Sequence, residues 1–248
     1  RYLFAHLNRA LDFDLRADPL FPECSRSMDM LRKWTGENPD AMYLKAPIDG
    51  QGFYRVTGQA ANTKEWKTSK RGIKGPKAPR HVTFQTVSDV PGHTGEMAEM
   101  QQCKSQTLDF ITGLNLLTDR KGRFDLLIGP ERPANYKGNF LLSRKLLTCP
   151  SNDTSAVKEA KWLAVREIFS DWENEIPLEL DIVRLDSAGL SKPPITVEQL
   201  TTKLNNIAKE VPNQIRFWNL IMEFPLEVAR YANQDGQRNL PVNGINQP

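Results

Sequence analysis

Apolar positions repeat with three different rhythms along this chain. Tyr2, Leu3, Leu7, Ala10, Leu11 and Leu15 recur three or four apart, which predicts an amphipathic helix from residue 2 to about residue 16, ending before Asp18-Pro19. A second helix is predicted from about Ser25 to Trp34, stopped by Gly36. From Met42 onward the period falls to two. The spans 42–48, 53–58, 81–87, 107–112, 123–128, 140–147, 162–169 and 178–185 read as short strands, with polar turns between them. Asp49-Gly50 predicts a hairpin between the first two, with Gly50 supplying a positive φ, and Asp119-Arg120-Lys121-Gly122 predicts another turn. The gaps are too short for repeated crossover helices, so antiparallel pairing is expected. After Ser187 the helical rhythm returns. Thr196 and Gln199 form a capping box, a helix follows to about Glu210, and Pro212 is expected to end it. A last helix is predicted from Gln214 to about Tyr231, kinked at Pro225.

This pattern gives an α+β chain organised as N-terminal helices (1–41), an antiparallel β-sandwich (42–190), C-terminal helices (191–232) and an extended tail (233–248) rich in Asn, Gln, Gly and Pro. The 248 residues, 39% hydrophobic and 25% charged, suit a globular domain with a real core. No apolar run approaches the roughly 20 residues that a membrane-spanning helix needs.

Charge alters the picture locally. Between residues 64 and 80, Lys64, Lys67, Lys70, Arg71, Lys74, Lys77 and Arg80 face a single acid, Glu65, whereas the whole chain carries only +3. Lys67, Lys70, Arg71 and Lys74 are therefore candidates for holding a polyanion. One aromatic, Trp66, is too few for a stacking platform, and glycines and prolines break the run, so nucleic acid is not the expected partner.

The acidic counterpart lies between the last two predicted strands. Asp171, Glu173 and Glu175 place three carboxylates within five residues, with Glu167 and Glu179 near and Arg166 as a counter-charge. They are the candidates for catalysis, since paired carboxylates can divide acid and base roles on a glycan; the alternative is a tight corner capped by Asp171 with Trp172 packed against the sandwich. Ca²⁺ is a weaker reading of the same oxygens, because no EF-hand spacing is present, and no cofactor is otherwise indicated. Asn38, Asp40, Arg166 and Trp172 are the candidate ligand contacts. His81 and His93 belong to no HxH or HExxH pattern, so no metal site is predicted, and His6 reads as a surface residue. Nucleophile-elbow, phosphate-loop and dinucleotide motifs do not occur.

Cys24, Cys103 and Cys149 are widely spaced and permit one disulfide with one thiol left over. With the Asn152-Asp153-Thr154 sequon and a first residue other than Met, they favour an extracellular or luminal setting slightly over a cytoplasmic one.

The words KWTGENPDAMY, YRVTG, GRFDLLI and WLAVREIFSDWENEIPLELDIVRLD, followed by a spaced PP-x-T before a helix, resemble a mostly bacterial family known as a domain of unknown function, number twelve-fourteen. The resemblance runs from about Arg32 to Trp218. It implies a β-sandwich of jelly-roll type, often followed by a second, similar sandwich, and it carries no catalytic residues. The leading functional expectation is therefore a binding or assembly module that works with a second domain or subunit and takes a glycan or other small polar ligand. An enzyme using the acidic corner comes second, and polyanion binding through residues 64–80 third.

Overall fold

The computed structural model describes residues 2–34, 37–68, 72–99 and 101–232. The expected tail falls outside these, as do Lys70 and Arg71. The chain is an α+β sandwich with a helix at each end. Helix α1 (Tyr2–Arg16) opens it, and strands β1 (Ser25–Arg26), β2 (Ala41–Pro47), β3 (Tyr54–Gln59), β4 (His81–Val87), β5 (Thr107–Thr112), β6 (Arg123–Gly129), β7 (Asn139–Leu142), β8 (Arg144–Cys149), β9 (Thr154–Glu159), β10 (Trp162–Ile168) and β11 (Glu179–Arg184) follow. Helix α2 (Val197–Ala232) closes it.

Strands pass between the layers in the jelly-roll manner. One sheet has the order β1-β2-β10-β4-β5, the other β11-β3-β6-β7, and β8 and β9 form a separate ribbon. Alternation along the strands decides which side chains enter the core. Ala46, Val82, Phe84, Leu163 and Val165 from the first sheet face Tyr54, Val56, Phe124, Leu126 and Ile128 from the second, all buried. Phe84 and Phe124 meet edge to face across the layers, with ring centroids 5.6 Å apart.

Several expectations need correction. Strands β2 and β3 lie in different sheets, so Asp49-Gly50 turns a sandwich corner and makes no hairpin. Gly50 is required there by close approach, since an added Cβ would stand 2.6 Å from Glu159 Cβ. Strands β6 and β7 run parallel, because residues 130–138 carry the chain back along β6 before β7 starts. Asn139 pins that start: its side chain donates to the Leu117 and Asp125 carbonyls and accepts from Leu117 N–H. The predicted strand at 140–147 is split at buried Ser143, which donates to Gly50 O at 2.8 Å.

No helix forms at 25–34. Ser25 and Arg26 pair with β2 instead, and Asp29 accepts hydrogen bonds from Leu31 N, Arg32 N and the Arg32 guanidinium, a local alternative to helical bonding. The Arg32 bond holds the Asp29 carboxyl down at about 2. Helix α2 continues through Pro212 and Pro225. Pro212 costs a backbone bond, but Ile207, Gln214 and Phe217 are buried along one stripe on both sides of it, so packing overrides the break. The capping box forms as expected: Thr196 N–H donates to Gln199 Oε1 at 2.9 Å, and Gln199 N–H to Thr196 Oγ1 at 3.2 Å.

Helix α1 covers the outer face of the five-stranded sheet with Ala5, His6, Arg9, Ala10 and Phe13, and leaves Leu3, Phe4 and Leu7 exposed. His6 is thus a buried residue, and burial, reinforced by the Arg9 charge, lowers it to about 4. Phe13 packs on Trp162 of β10, centroid to centroid 5.1 Å.

Candidate functional site

The acidic corner joins β10 to β11 and so crosses from one sheet to the other. Two of its three carboxylates are structurally engaged. Glu175 is buried and accepts from Ser170 N–H (2.9 Å), Ser170 Oγ (2.8 Å) and Arg80 N–H (3.0 Å). Asp171 accepts from the Asn174 backbone and side chain and pairs with Lys77 at 3.3 Å; the Asn174 bond and then Lys77 hold it below the usual carboxylate range. Lys77 also exchanges backbone bonds with the corner, its N–H to Asn174 O and its carbonyl to Ile176 N–H. The end of the basic segment is therefore stitched to the acidic corner. Glu173 is exposed, and Trp172 stacks on Phe169 at 4.1 Å with its indole N–H directed at Asp40 Oδ1, 3.4 Å away. Asn38 Oδ1 accepts from Asp40 N–H, so both residues shape the turn into β2.

The polyanion candidates are not gathered into a patch among the described residues. Lys67 spends its ammonium on the Leu114 and Leu116 carbonyls, at 2.8 and 3.0 Å, and Lys74 is exposed.

A different site lies on the outer face of the five-stranded sheet. The register sets Lys45, Ala164 and Gln85 in one row across β2, β10 and β4, and Tyr43, Arg166 and Thr83 in the row beside it. Because adjacent strands are about 4.8 Å apart, the small Ala164 leaves a gap roughly 10 Å wide between two long side chains. A cavity of about 300 Å³ opens over this floor. Trp34, Tyr43, Val90 and Trp218 give it apolar walls, and Gln106, Asp89 and Arg166 are polar members of the lining. Of the sequence candidates among the described residues, only Arg166 reaches it; its guanidinium lies over the Tyr43 ring at 5.1 Å.

The wall is fixed by hydrogen bonds from α2. Gln214, fully buried, accepts from Trp34 Nε1 and from Trp218 Nε1, the latter at 3.2 Å. Gly92, at φ 91°, lies against Gln214 and Phe217, where a Cβ would come within 2.9 Å of Gln214 Oε1. Asp89 is held by Lys161 at 2.6 Å, and Ser105 Oγ donates to the Asp89 carbonyl at 2.9 Å.

Lys45 is the unusual member. Only 8% of it is exposed, and Nζ sits 3.1 Å from the centroid of the Trp34 ring without a hydrogen-bond partner among the described residues. Arg9 reaches over the same ring, 4.8 Å from its centroid, and its Nη2 stands 3.8 Å from Glu210. Burial and the Arg9 charge drive Lys45 well below the ordinary lysine value, against the pull of Glu210, Asp14 and Asp89. Asp14 moves the other way, raised to about 7 by burial and the Glu210 charge. Gln106, another lining residue, keeps Oε1 buried and without a hydrogen-bond partner among the described residues. In the sequence Lys45 reads as an ordinary outward-facing strand residue; only the helices laid over that face bury it.

No family model and no curated protein matches this chain. Among solved structures, an uncharacterised protein from Burkholderia cenocepacia is similar, with TM-score 0.66 and 21% identity over 97% of this chain and 57% of its own. That likeness shows the fold. The chain spans little more than half the length of that protein. A Vibrio parahaemolyticus protein aligns at TM-score 0.30 and 11% identity, over 93% of this chain and 58% of its own, too distantly to support an argument. Among the described residues no helix is long and apolar enough to cross a membrane, and no three His, Cys, Asp or Glu side chains are grouped to hold a metal ion.

Proposed function

We propose that this chain is a binding module that holds a small, ring-sized, mainly apolar molecule with a polar end in the cavity over Ala164. The observation that carries this reading is a cavity of about 300 Å³ with aromatic walls and the polar residues Gln106, Asp89 and Arg166 in its lining. Small-molecule sites are typically apolar clefts with a few polar groups that fix orientation, and a ring with a polar end suits this lining. The acidic corner is a poorer choice for chemistry, because Glu175 and Asp171 are occupied in building the turn. Ala164→Phe tests the reading by filling the floor without touching the sandwich core. Ring compounds such as benzoate, phenol and indole, followed by ligand-observed NMR, should bind the native chain and lose binding in the variant at unchanged unfolding midpoint. Equal binding to both proteins, or none to either, would reject the cavity as the site.

The module is further proposed to act beside a second domain or subunit, in keeping with the expected family and with the 57% share of the Burkholderia protein that it matches. Native mass spectrometry of the protein as its source cell makes it is the test; a chain of this size without a partner would contradict it. The Cys103–Cys149 disulfide, whose Cα atoms are 5.7 Å apart, supports an oxidising compartment for the same protein.

A further inference from the structure

We propose that the ligand of this cavity carries a carboxylate, and that Arg166 is the residue that selects it. The inference rests on the cavity being a binding site and names the chemistry of the ligand's polar end. Four charged side chains belong to the lining: Glu37, Lys45, Asp89 and Arg166. Three of them are already engaged. Asp89 is paired with Lys161 Nζ at 2.6 Å, Glu37 accepts the Trp34 N–H at 2.8 Å, and Lys45 is buried against the Trp34 ring. Arg166 is exposed and makes neither an ion pair nor a hydrogen bond among the described residues, so its five N–H donors face whatever enters.

The fold positions this guanidinium without using its donors. Register sets Arg166 of β10 beside Tyr43 of β2, and its Cζ lies 5.1 Å from the centre of the Tyr43 ring. That ring is itself fixed, because the Tyr43 hydroxyl accepts the Asn38 N–H at 3.1 Å. A cation stacked on a rigid aromatic face has less freedom to lose when an anion binds it. Gln85, opposite Ala164 on β4, lines the same cavity, and its side-chain amide has no hydrogen-bond partner among the described residues. Ala164 and Arg166 point the same way from β10, about 7 Å apart. A ring lying over Ala164 can therefore direct a carboxylate toward Arg166, whose planar fork matches its two oxygens. A cationic ligand suits the site badly. Arg166 already covers the Tyr43 ring, and Lys45 and Arg9 share the Trp34 ring, so the aromatic faces that would attract a positive charge are taken.

Three probes with one ring and different ends test the proposal on the native chain: benzoate, benzyl alcohol and benzylamine, titrated at neutral pH with ligand-observed NMR. Benzoate should bind about tenfold more tightly than benzyl alcohol, an advantage between that of an exposed ion pair and that of a buried charged hydrogen bond, and benzylamine should bind most weakly. Arg166→Gln should bring the benzoate to benzyl alcohol affinity ratio down to about one, and 0.5 M salt should reduce it in the native chain, since exposed charges are screened at about 3–10 Å. Benzoate binding should vanish in Ala164→Phe; benzoate held equally well by that variant would place the anion elsewhere on the surface and overturn the proposal. If benzyl alcohol binds as well as benzoate, or benzylamine binds best, the carboxylate assignment is wrong and the binding reading stands. If none of the three binds, both fall. The ranking on the native chain decides the matter even where a variant does not fold.

Discussion

Glu167 offers the sharpest test of how this sandwich is built. It points from β10 into the core beside Leu163 and Val165 and is fully buried. One carboxyl oxygen accepts Leu178 N–H at 2.9 Å, and the other has no partner among the described residues. Burial therefore raises the group from an ordinary 4.5 to about 7, the Leu178 bond offsetting only part of the rise. That difference corresponds to about 3 kcal/mol between its two protonation states. The folded-state value is raised for an acid, so the folded chain binds the proton more tightly than the unfolded one. Its contribution is fully present below about pH 4.5, declines as pH rises, and is lost once pH passes about 7. Glu167→Gln keeps the acceptor for Leu178, removes the titration and adds a buried amide donor costing about 1 kcal/mol. The variant should thus be slightly less stable than the native chain at about pH 5 and about 2 kcal/mol more stable at about pH 9. Urea unfolding of both proteins at the two pH values measures this, and Asp14, which titrates in the same range, cancels in the comparison. A stability difference that does not move with pH would show that Glu167 ionises freely and that the core end of β10 is wet.

Other outcomes follow from single features. Pro212→Ala should stabilise the chain by about 1–2 kcal/mol in urea, since it restores a bond in the middle of α2 at some cost in unfolded-state freedom; no gain would mean that the helix is bent there to suit its contacts. Reducing Cys103–Cys149, which links residues 46 apart in sequence, should cost up to about 4 kcal/mol, read as a lower urea midpoint with dithiothreitol present. Gly58→Ala should cost about 1–3 kcal/mol, because the new methyl group would run into the Phe124 ring that supports the core; an unchanged melting temperature would mean the ring has room to turn.

The sandwich strands were legible where alternation is strong. His81–Val87 and Trp162–Ile168 alternate buried and less buried residues along their length, and their bounds agree with the pattern to within a residue. Thr154–Glu159 escaped, because five of its six residues are exposed and no apolar rhythm marks it. The 25–34 segment, expected as a helix stopped by Gly36, instead forms a turn in which Asp29 takes the hydrogen bonds of Arg32. Pairing partners were beyond reach of the pattern, so neither the corner at Gly50 nor the parallel β6–β7 pair could be foreseen. The site was nearly invisible for a related reason. Lys45 and Gln85 look like solvent-facing strand residues, and Ala164 like a small core residue, until the register aligns them and two helices cover them. Of the carboxylates that stood out by crowding, Glu175 is occupied by Ser170 and Arg80 and Asp171 by Asn174 and Lys77, while Glu173 is exposed.

The placement of β10 has a consequence for how the chain is made. It is the middle strand of its sheet, flanked by β2 and β4, which are synthesised more than seventy residues earlier. On the ribosome those two strands emerge with an empty slot between them, and each presents an open edge able to pair with another nascent chain. Closure of this sheet must wait for residues 162–168 to leave the exit tunnel, and a holdase that shields β2 and β4 until then should raise the yield.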